Sequence, residues 1–463
     1  MSASDLKKAK KNVTLMGHGK SLDQGKGMDA VDLVVSNSHR AAHTVVFGTS
    51  GSGKTRLAEN IIEQDIRAGR SVVLIDPKID QEIASKIVQV AAACGRENDL
   101  MFINTVFPEY SALIDPMAYY FIHEELVEHC IAGIKEGKEP FYRNVGKEVV
   151  SSVITALSII AKAQTDTNQM NEAPSKLKIN LQDIKDRMSR EDLEDLKQQL
   201  SGITTQEAQD AENDLTRIIA TGQEYYSKVA SSLRVALMEL TTGNIGKIIG
   251  RADENRFLKR LEEGQPVILV CQLGSQIVHD AAFTLGKVVL SMIQSFIGRV
   301  YSSNRKKVNP PLCIHIDEAP SVLYAGIETL FAQARGADCW ITIYAQSMNQ
   351  FYDKLGTDCA KSILSNTNTK IFLRVPDSDT AEYVAQHFGT IKKLSPVIAP
   401  GGQITTREVE EDVIKPFDVL SLKPREFFML SYATETTRGR WKGRTGDTSP
   451  SWVEIIYPDA PAY

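Results

Sequence analysis

The sequence reads as an α/β protein: a mostly parallel, twisted sheet with helices on both faces, interrupted by an all-α segment. Three observations predict this. Strand-length apolar runs recur along the chain with helical patterns between several of them, and runs that are apolar throughout belong to strands buried on both faces. A glycine-rich phosphate-loop motif stands between the first run and a helix. From about 117 to 255 the strand runs stop, and apolar residues recur instead at three- and four-residue spacing.

The runs, in order, are His43–Phe47, Val72–Ile75, Met101–Ile103, Pro266–Cys271, Leu312–Ile316, Trp340–Tyr344, Lys370–Arg374 and Phe427–Tyr432. Arg56–Ala68 predicts a helix with Ala58, Ile62 and Ile66 on one face, stopped by Gly69. In the middle segment Val145, Val149, Val153, Leu157 and Ile160 follow one buried helix face. Val229, Leu233, Leu237 and Leu240 follow another. Ser189 and Asp192 form a capping box ahead of Leu193 and Leu196, and Gln164–Ser175 reads as a surface loop. The expected division is a lead-in over 1–40, a nucleotide-binding domain over 41–116 and 256–435, an all-α domain over 117–255, and a tail over 436–463.

Composition limits the function classes. At 463 residues, 42% hydrophobic and 24% charged, the chain is globular rather than disordered. Its 53 basic and 58 acidic side chains leave −5, which excludes a uniformly basic nucleic-acid coat. The longest apolar stretch, Val149–Ala163, carries Ser151, Ser152, Thr155 and Ser158 and is shorter than a spanning helix needs, so no intrinsic membrane span is expected. Lys7, Lys8, Lys10 and Lys11 near the start do not precede the apolar run of a signal peptide. Six cysteines without a CxxC pair read as buried, reduced thiols of a cytoplasmic protein.

Gly48-Thr49-Ser50-Gly51-Ser52-Gly53-Lys54-Thr55 matches GxxxxGK[ST] in full. Glycines let backbone N–H groups close around a phosphate at a helix N-terminus, where the dipole adds positive potential. Lys54 would reach the β- and γ-phosphates of ATP, and the Thr55 hydroxyl would ligate Mg²⁺. Such a loop needs a carboxylate at the end of a neighbouring buried strand. Leu312-Cys-Ile-His-Ile-Asp317-Glu318 delivers two. Asp317 fits the magnesium side and Glu318 the base that orients the attacking water. His315, inside that strand, reads as a packed core residue rather than a ligand. Gln346, after the strand Trp340–Tyr344, is placed to sense the γ-phosphate. Arg335 is a candidate to stabilise the transition state from a neighbouring subunit.

In order along residues 40–435, these motifs resemble the type IV coupling proteins, the TraG/TraD-like ATPases of conjugation and type IV secretion. Asp76-Pro77-Lys78-Ile79-Asp80 resembles their DPKGD element, with Ile79 in place of the glycine. Asp115-Pro116, Leu285-Gly286-Lys287 opening a helix, Asp317-Glu318-Ala319, Gln333-Ala-Arg335-Gly336, Gln346-Ser347, Asn366 to Arg374 and Arg407 to Leu422 come in the family's order. The resemblance implies a RecA-like nucleotide-binding core split by an all-α domain, assembled as a homohexamer. It implies Arg335 as a finger acting in trans and Gln346 as a sensor. It also implies a DNA translocase that delivers relaxase-bound DNA, expected to be single-stranded, and/or protein substrates to a secretion channel at the bacterial inner membrane. Many members begin with a membrane hairpin; none is expected here. A chromosome translocase of the FtsK/HerA class and a nucleotide-switched adaptor for secreted proteins are the competing readings.

With a net negative chain, DNA contacts must be local. Arg438, Arg440, Trp441, Lys442 and Arg444 form the densest cluster, basic residues around an aromatic, with a charged turn after the last strand as the alternative. Lys392-Lys393 reads as a loop. The apolar tail Ser449–Tyr463 reads as a strand or strap docked on a neighbour.

Overall fold

The computed structural model describes residues 12–23, 29–133, 141–168, 179–250, 252, 254–398, 404–431 and 439–457. Seven parallel strands form the centre of the main sheet: β3 (Thr44–Phe47), β4 (Ser71–Asp76), β5 (Leu100–Asn104), β6 (Ile268–Gln272), β7 (Leu312–Ile316), β8 (Cys339–Ala345) and β9 (Thr369–Phe372). Every residue of β3, β4, β6, β7, β8 and β9 is buried, as continuous apolar runs require of strands covered on both faces.

Four antiparallel strands extend one edge: β1 (Val13–Ser21), β2 (Val31–Ser36), β12 (Glu426–Ser431) and β13 (Gly439–Thr445). The spatial order is β2-β1-β13-β12-β9-β3-β8-β7-β4-β6-β5. β10 (Thr390–Ile398) and β11 (Ile404–Asp412) make a separate hairpin. Residues read as a lead-in therefore supply two strands of the main sheet. Lys392 and Lys393, read as a loop, lie in β10 opposite Glu410 and Val409.

One face of the sheet is covered by α1 (Asn37–Arg40), α2 (Lys54–Arg67) and α3 (Gln81–Ala93), whose Leu57, Ile61, Ile83 and Ile87 join Val46, Val72 and Ile268 in one core. Between β5 and β6 the described residues hold helices and no strand: α4 (His123–Ala132), α5 (Phe141–Asn168), α6 (Leu181–Lys185), α7 (Arg190–Ser201), α8 (Gln206–Ala220), α9 (Gln223–Thr241) and α10 (Arg256–Glu262). The chain leaves and re-enters the sheet region at one point, where Ile114 and Asn255 form an isolated bridge and Asn255 Nδ2 donates to the Asp115 carbonyl at 2.9 Å. The Ser189–Asp192 capping box is formed. The stretch from Gln164 is helical as far as Asn168, not a loop; 169–178 lie outside the described residues.

α11 (Asp280–Ser302) opens at Asp280, a turn earlier than Leu285-Gly286 suggested. It, rather than Val149–Ala163, is the most membrane-like segment among the described residues, long and apolar enough to cross a bilayer. Leu285, Val289, Ile293 and Phe296 are buried in the core shared by the sheet and the helical segment. Further helices include α12 (Glu328–Gln333), α13 (Met348–Leu355), α14 (Thr357–Ser365), α15 (Ser378–Phe388) and α16 (Pro416–Leu420). Cys271 and Cys313 are buried in strands, while Cys94 is exposed, contrary to the expectation of uniform burial.

The tail makes contacts within its own chain. The Ser449 N–H donates to Glu63 of α2, Lys86 of α3 reaches Ser449, and Ile455 N–H donates to Ser85 at 2.9 Å. Tyr457 stacks on Phe107 and bonds Gln272 at the end of β6. The polar side chains of α3 that face outward hold it there. Residues 458–463 and the Lys7–Lys11 run lie outside the described residues.

Candidate nucleotide site

The parallel strands end together, so the loops leaving their C-terminal ends meet at one rim. The phosphate loop leaves β3 and is stitched to both neighbours: Gly48 N–H donates to Ala345 O of β8 at 3.0 Å, and Thr49 N–H to Arg374 O beyond β9 at 2.8 Å. Gly53 has φ 107°, a conformation that a side chain would strain, and its position against Arg425 leaves a Cβ only 3.1 Å from that backbone. α2 starts at Lys54 immediately after, aiming its first N–H groups into the loop.

Lys54 Nζ donates to the Gly48 and Thr49 carbonyls, so the ammonium stands over the loop mouth. Burial pushes its pKa below the ordinary lysine range, against the pull of Asp317. Lys54, Thr55, Asp76, Asp80, Asp317 and Tyr344 line one pocket. A hydroxyl and carboxylates are the hard oxygen donors that Mg²⁺ takes, together with waters and phosphate oxygens. Thr55 and Asp317 therefore fit that ion. Ser50 and Gly51 are exposed at the tip of the loop, and Ser52 is buried with its Oγ donating to Thr49 O at 2.7 Å.

Asp317 N–H donates to Ile75 O, locking the end of β7 to β4. Burial raises the Asp317 pKa, opposed by Lys78 and Lys54. Glu318 is next, with φ 43° in the left-handed region, which turns its carboxylate to Lys78 at 2.7 Å. Asp76, at the end of β4, is buried and pushed up to about 6 by that burial, while the Lys78 and Asp80 N–H groups donate to it. Ile79, in place of the family's glycine, nevertheless has φ 61°. That left-handed backbone is an outlier for a β-branched residue.

Gln346 comes directly after β8 at the same rim, and its N–H donates to Gln350 Oε1 at 3.2 Å. Arg335 is elsewhere. It precedes β8, in the turn 334–337, beside His39 and His43 at the opposite end of the sheet. The seven residues of β8 separate it from Gln346 by roughly 20 Å. His315 is buried, with Nδ1 3.1 Å from Tyr344 Oη and Nε2 3.2 Å from Asp65 of α2, as a core residue.

The basic cluster is a strand rather than a turn. On β13, Trp441, Gly443 and Thr445 alternate with Arg440, Lys442 and Arg444, and Trp441 packs against the core under α2. Arg440 pairs with Asp23 and donates to the Phe388 carbonyl at 2.7 Å. Lys442 and Arg444 are exposed, and the register sets Lys20 of β1 beside Lys442 and His18 beside Arg444. Arg438 lies outside the described residues.

Sequence reasoning missed Arg425. Its N–H donates to the Ser52 carbonyl at 2.7 Å, and its guanidinium bonds the Thr445 and Gly446 carbonyls at 3.1 Å, bracing the loop against β13. It carries φ 72° in an unremarkable loop, and no motif marks it.

A family profile described as Type IV secretory system Conjugative DNA transfer matches residues 1–393. The chain belongs to that family. One curated member, the type 4 coupling protein DotL of Legionella pneumophila, is 30% identical over 73 residues, which is 16% of this chain and 9% of that much longer relative. Among solved structures, an unbound form of the conjugative coupling protein TrwB superposes with a TM-score of 0.70 at 16% identity, covering 98% of this chain and 95% of that one. TrwB with ADP and Mg²⁺ gives 0.63 at 16% identity over 98% and 96%. VirB4 of Thermoanaerobacter pseudethanolicus gives 0.53 at 12% identity over 94% and 97%. These neighbours share with this family member an α/β fold of the RecA-like kind.

Proposed function

We propose that this chain is an ATP-hydrolysing coupling protein, a DNA-translocating motor that delivers relaxase-bound single-stranded DNA to a type IV secretion channel at the inner membrane and works as a homohexamer. The observation that carries the reading is the convergence of Lys54, Thr55, Asp317 and Glu318 at one rim, in a member of the conjugative DNA transfer family.

In this reading the loop N–H groups and Lys54 hold the β- and γ-phosphates of ATP. Thr55 and Asp317 hold the bound Mg²⁺, which neutralises charge on the phosphate oxygens. Glu318 is the acceptor for the attacking water's proton and Gln346 reads the γ-phosphate. Arg335 stands about 20 Å from Gln346 along β8, too far to serve its own loop, so it serves a neighbour's. DNA contacts come from Lys442 and Arg444, with Lys20 alongside, since Arg440 and Trp441 are engaged within the chain. The nucleotide-binding domain is then 41–116 with 256–435, joined by β1 and β2 from the lead-in and β13 from the tail, and 117–255 is the all-α domain.

ATP hydrolysis by purified protein tests the core of this reading. Lys54→Ala and Glu318→Gln should each lower kcat by about a hundredfold or more. Glu318→Gln should still bind a fluorescent ATP analogue. Equal rates in wild type and Glu318→Gln would overturn the assignment.

A further inference from the structure

The turn that carries Arg335 is held on its near side by the Tyr301 side chain. Tyr301, one residue from the end of α11, donates its hydroxyl to the Gln333 carbonyl at 2.6 Å. That carbonyl belongs to the last residue of α12, where a helix leaves its C=O groups without intrahelical partners. The same hydroxyl lies over Gly336, so that a Cβ there would stand 2.2 Å from it. Tyr301 thus contacts the residue after Arg335 and the residue two before it. The far side of the turn is fixed by Val308 N–H to Ala337 O at 2.8 Å and by the Lys307–Asp338 ion pair at 3.0 Å.

The surroundings indicate what this bracing serves. Tyr301 remains 46% exposed, so it is not there to fill the core. Arg335 is exposed, and among the described residues no hydrogen bond or ion pair ties its guanidinium. An ordered turn that presents an untied arginine is organised for a partner outside the chain. The rim at the other end of the sheet carries Asp76, Asp80, Asp317 and Glu318, the complementary charge.

We infer that Tyr301 is a positioning residue for Arg335: it sets the 334–337 turn so that the guanidinium leaves this end of the sheet and enters the nucleotide site of a second copy. The inference rests on the proposed trans role of Arg335. The hydroxyl supplies the bond to Gln333 and crowds any Cβ at residue 336. Because Tyr301 is at the surface, removing its hydroxyl should leave the fold and the chain's own phosphate loop intact.

The test compares Tyr301→Phe, Gly336→Ala and Arg335→Ala in the full chain, alone and mixed one to one with Lys54→Ala protein. Tyr301→Phe should lower kcat by about tenfold while the Kd for a fluorescent ADP analogue stays within about twofold. Mixing should restore activity above the sum of the two proteins alone, because the Lys54→Ala copy donates an intact Arg335 turn to the Tyr301→Phe copy's working loop. A merely structural defect would not be rescued by a neighbour. The inference is overturned if Tyr301→Phe keeps full kcat while Arg335→Ala loses it, or if its loss is not rescued by mixing. If Arg335→Ala itself is fully active, the trans reading falls instead, which a separate loss in Tyr301→Phe would not repair.

Discussion

Lys78 and Glu318 form an ion pair, Nζ to Oε1 at 2.7 Å, that ties the residues after β4 to the end of β7. Lys78 also lies 3.8 Å from Asp317 Oδ2. It is therefore a cation beside the carboxylate assigned to Mg²⁺. Both partners are partly exposed, so the competition is worth about 1 kcal/mol or less. Lys78→Met should lower the Mg²⁺ concentration for half-maximal ATP binding by up to about fivefold. A magnesium titration of a fluorescent ATP analogue measures this, and an unchanged midpoint would show that Lys78 does not compete.

Asp76 gives the stability a pH dependence with a definite sign. Its folded pKa, about 6, lies above the ordinary 3.8. The folded state therefore binds this proton more tightly than the unfolded chain. The contribution is fully present below pH 4 and is lost as pH rises to about 6, by about 2–3 kcal/mol. Asp76→Asn removes that loss and forfeits one backbone hydrogen bond. Relative to wild type, the variant should gain in Tm between pH 4 and pH 7. A difference independent of pH would contradict the burial argument.

Ile79 inverts a familiar ranking. Alanine is ordinarily preferred to glycine, but at φ 61° a Cβ is strained by about 1–2 kcal/mol. Ile79→Gly and Ile79→Ala both lose the contact with the Gly274 region, so their difference isolates the backbone term. Glycine should be the more stable by about 1 kcal/mol in denaturant melts. Alanine more stable would mean that the turn relaxes.

On β13, Lys442 and Arg444, proposed to meet DNA phosphates, differ from Arg440, which is tied within the chain. Lys442→Ala and Arg444→Ala should each weaken single-stranded DNA binding and reduce the slope of log Kd against log salt by about one. Arg440→Ala, which breaks the Asp23 and Phe388 contacts, should lower Tm and leave the salt slope unchanged. Equal slopes in all three variants would remove this face from the DNA path.

The parallel strands were legible because burial on both faces leaves a near-continuous apolar run, as in Val72–Ile75 and Leu312–Ile316. That residues 48–53 link β3 to a helix, and that Asp317 follows a buried strand at the same rim, was legible because phosphate chemistry narrows the residues expected there. β1 and β13 were not. Their outward residues are His18, Lys20, Lys442 and Arg444, and their inward ones include Gly19 and Gly443, so neither strand reads as apolar. The alternation of Trp441, Gly443 and Thr445 with basic residues was the available signal. Arg425 and Tyr301 act through backbone carbonyls distant in sequence, and such contacts leave no local pattern. The position of Arg335 at the far end of the sheet came only from the topology, since sequence spacing does not say which end of β8 meets the phosphate loop.

The central claim is that ATP hydrolysis at this rim drives movement along DNA. Its most direct test is the ATPase rate of size-selected oligomer with and without single-stranded DNA, over a range of salt. The account predicts stimulation by DNA that falls as salt rises and is absent in Glu318→Gln. An oligomer that hydrolyses ATP at the same rate whether or not DNA is present would contradict it.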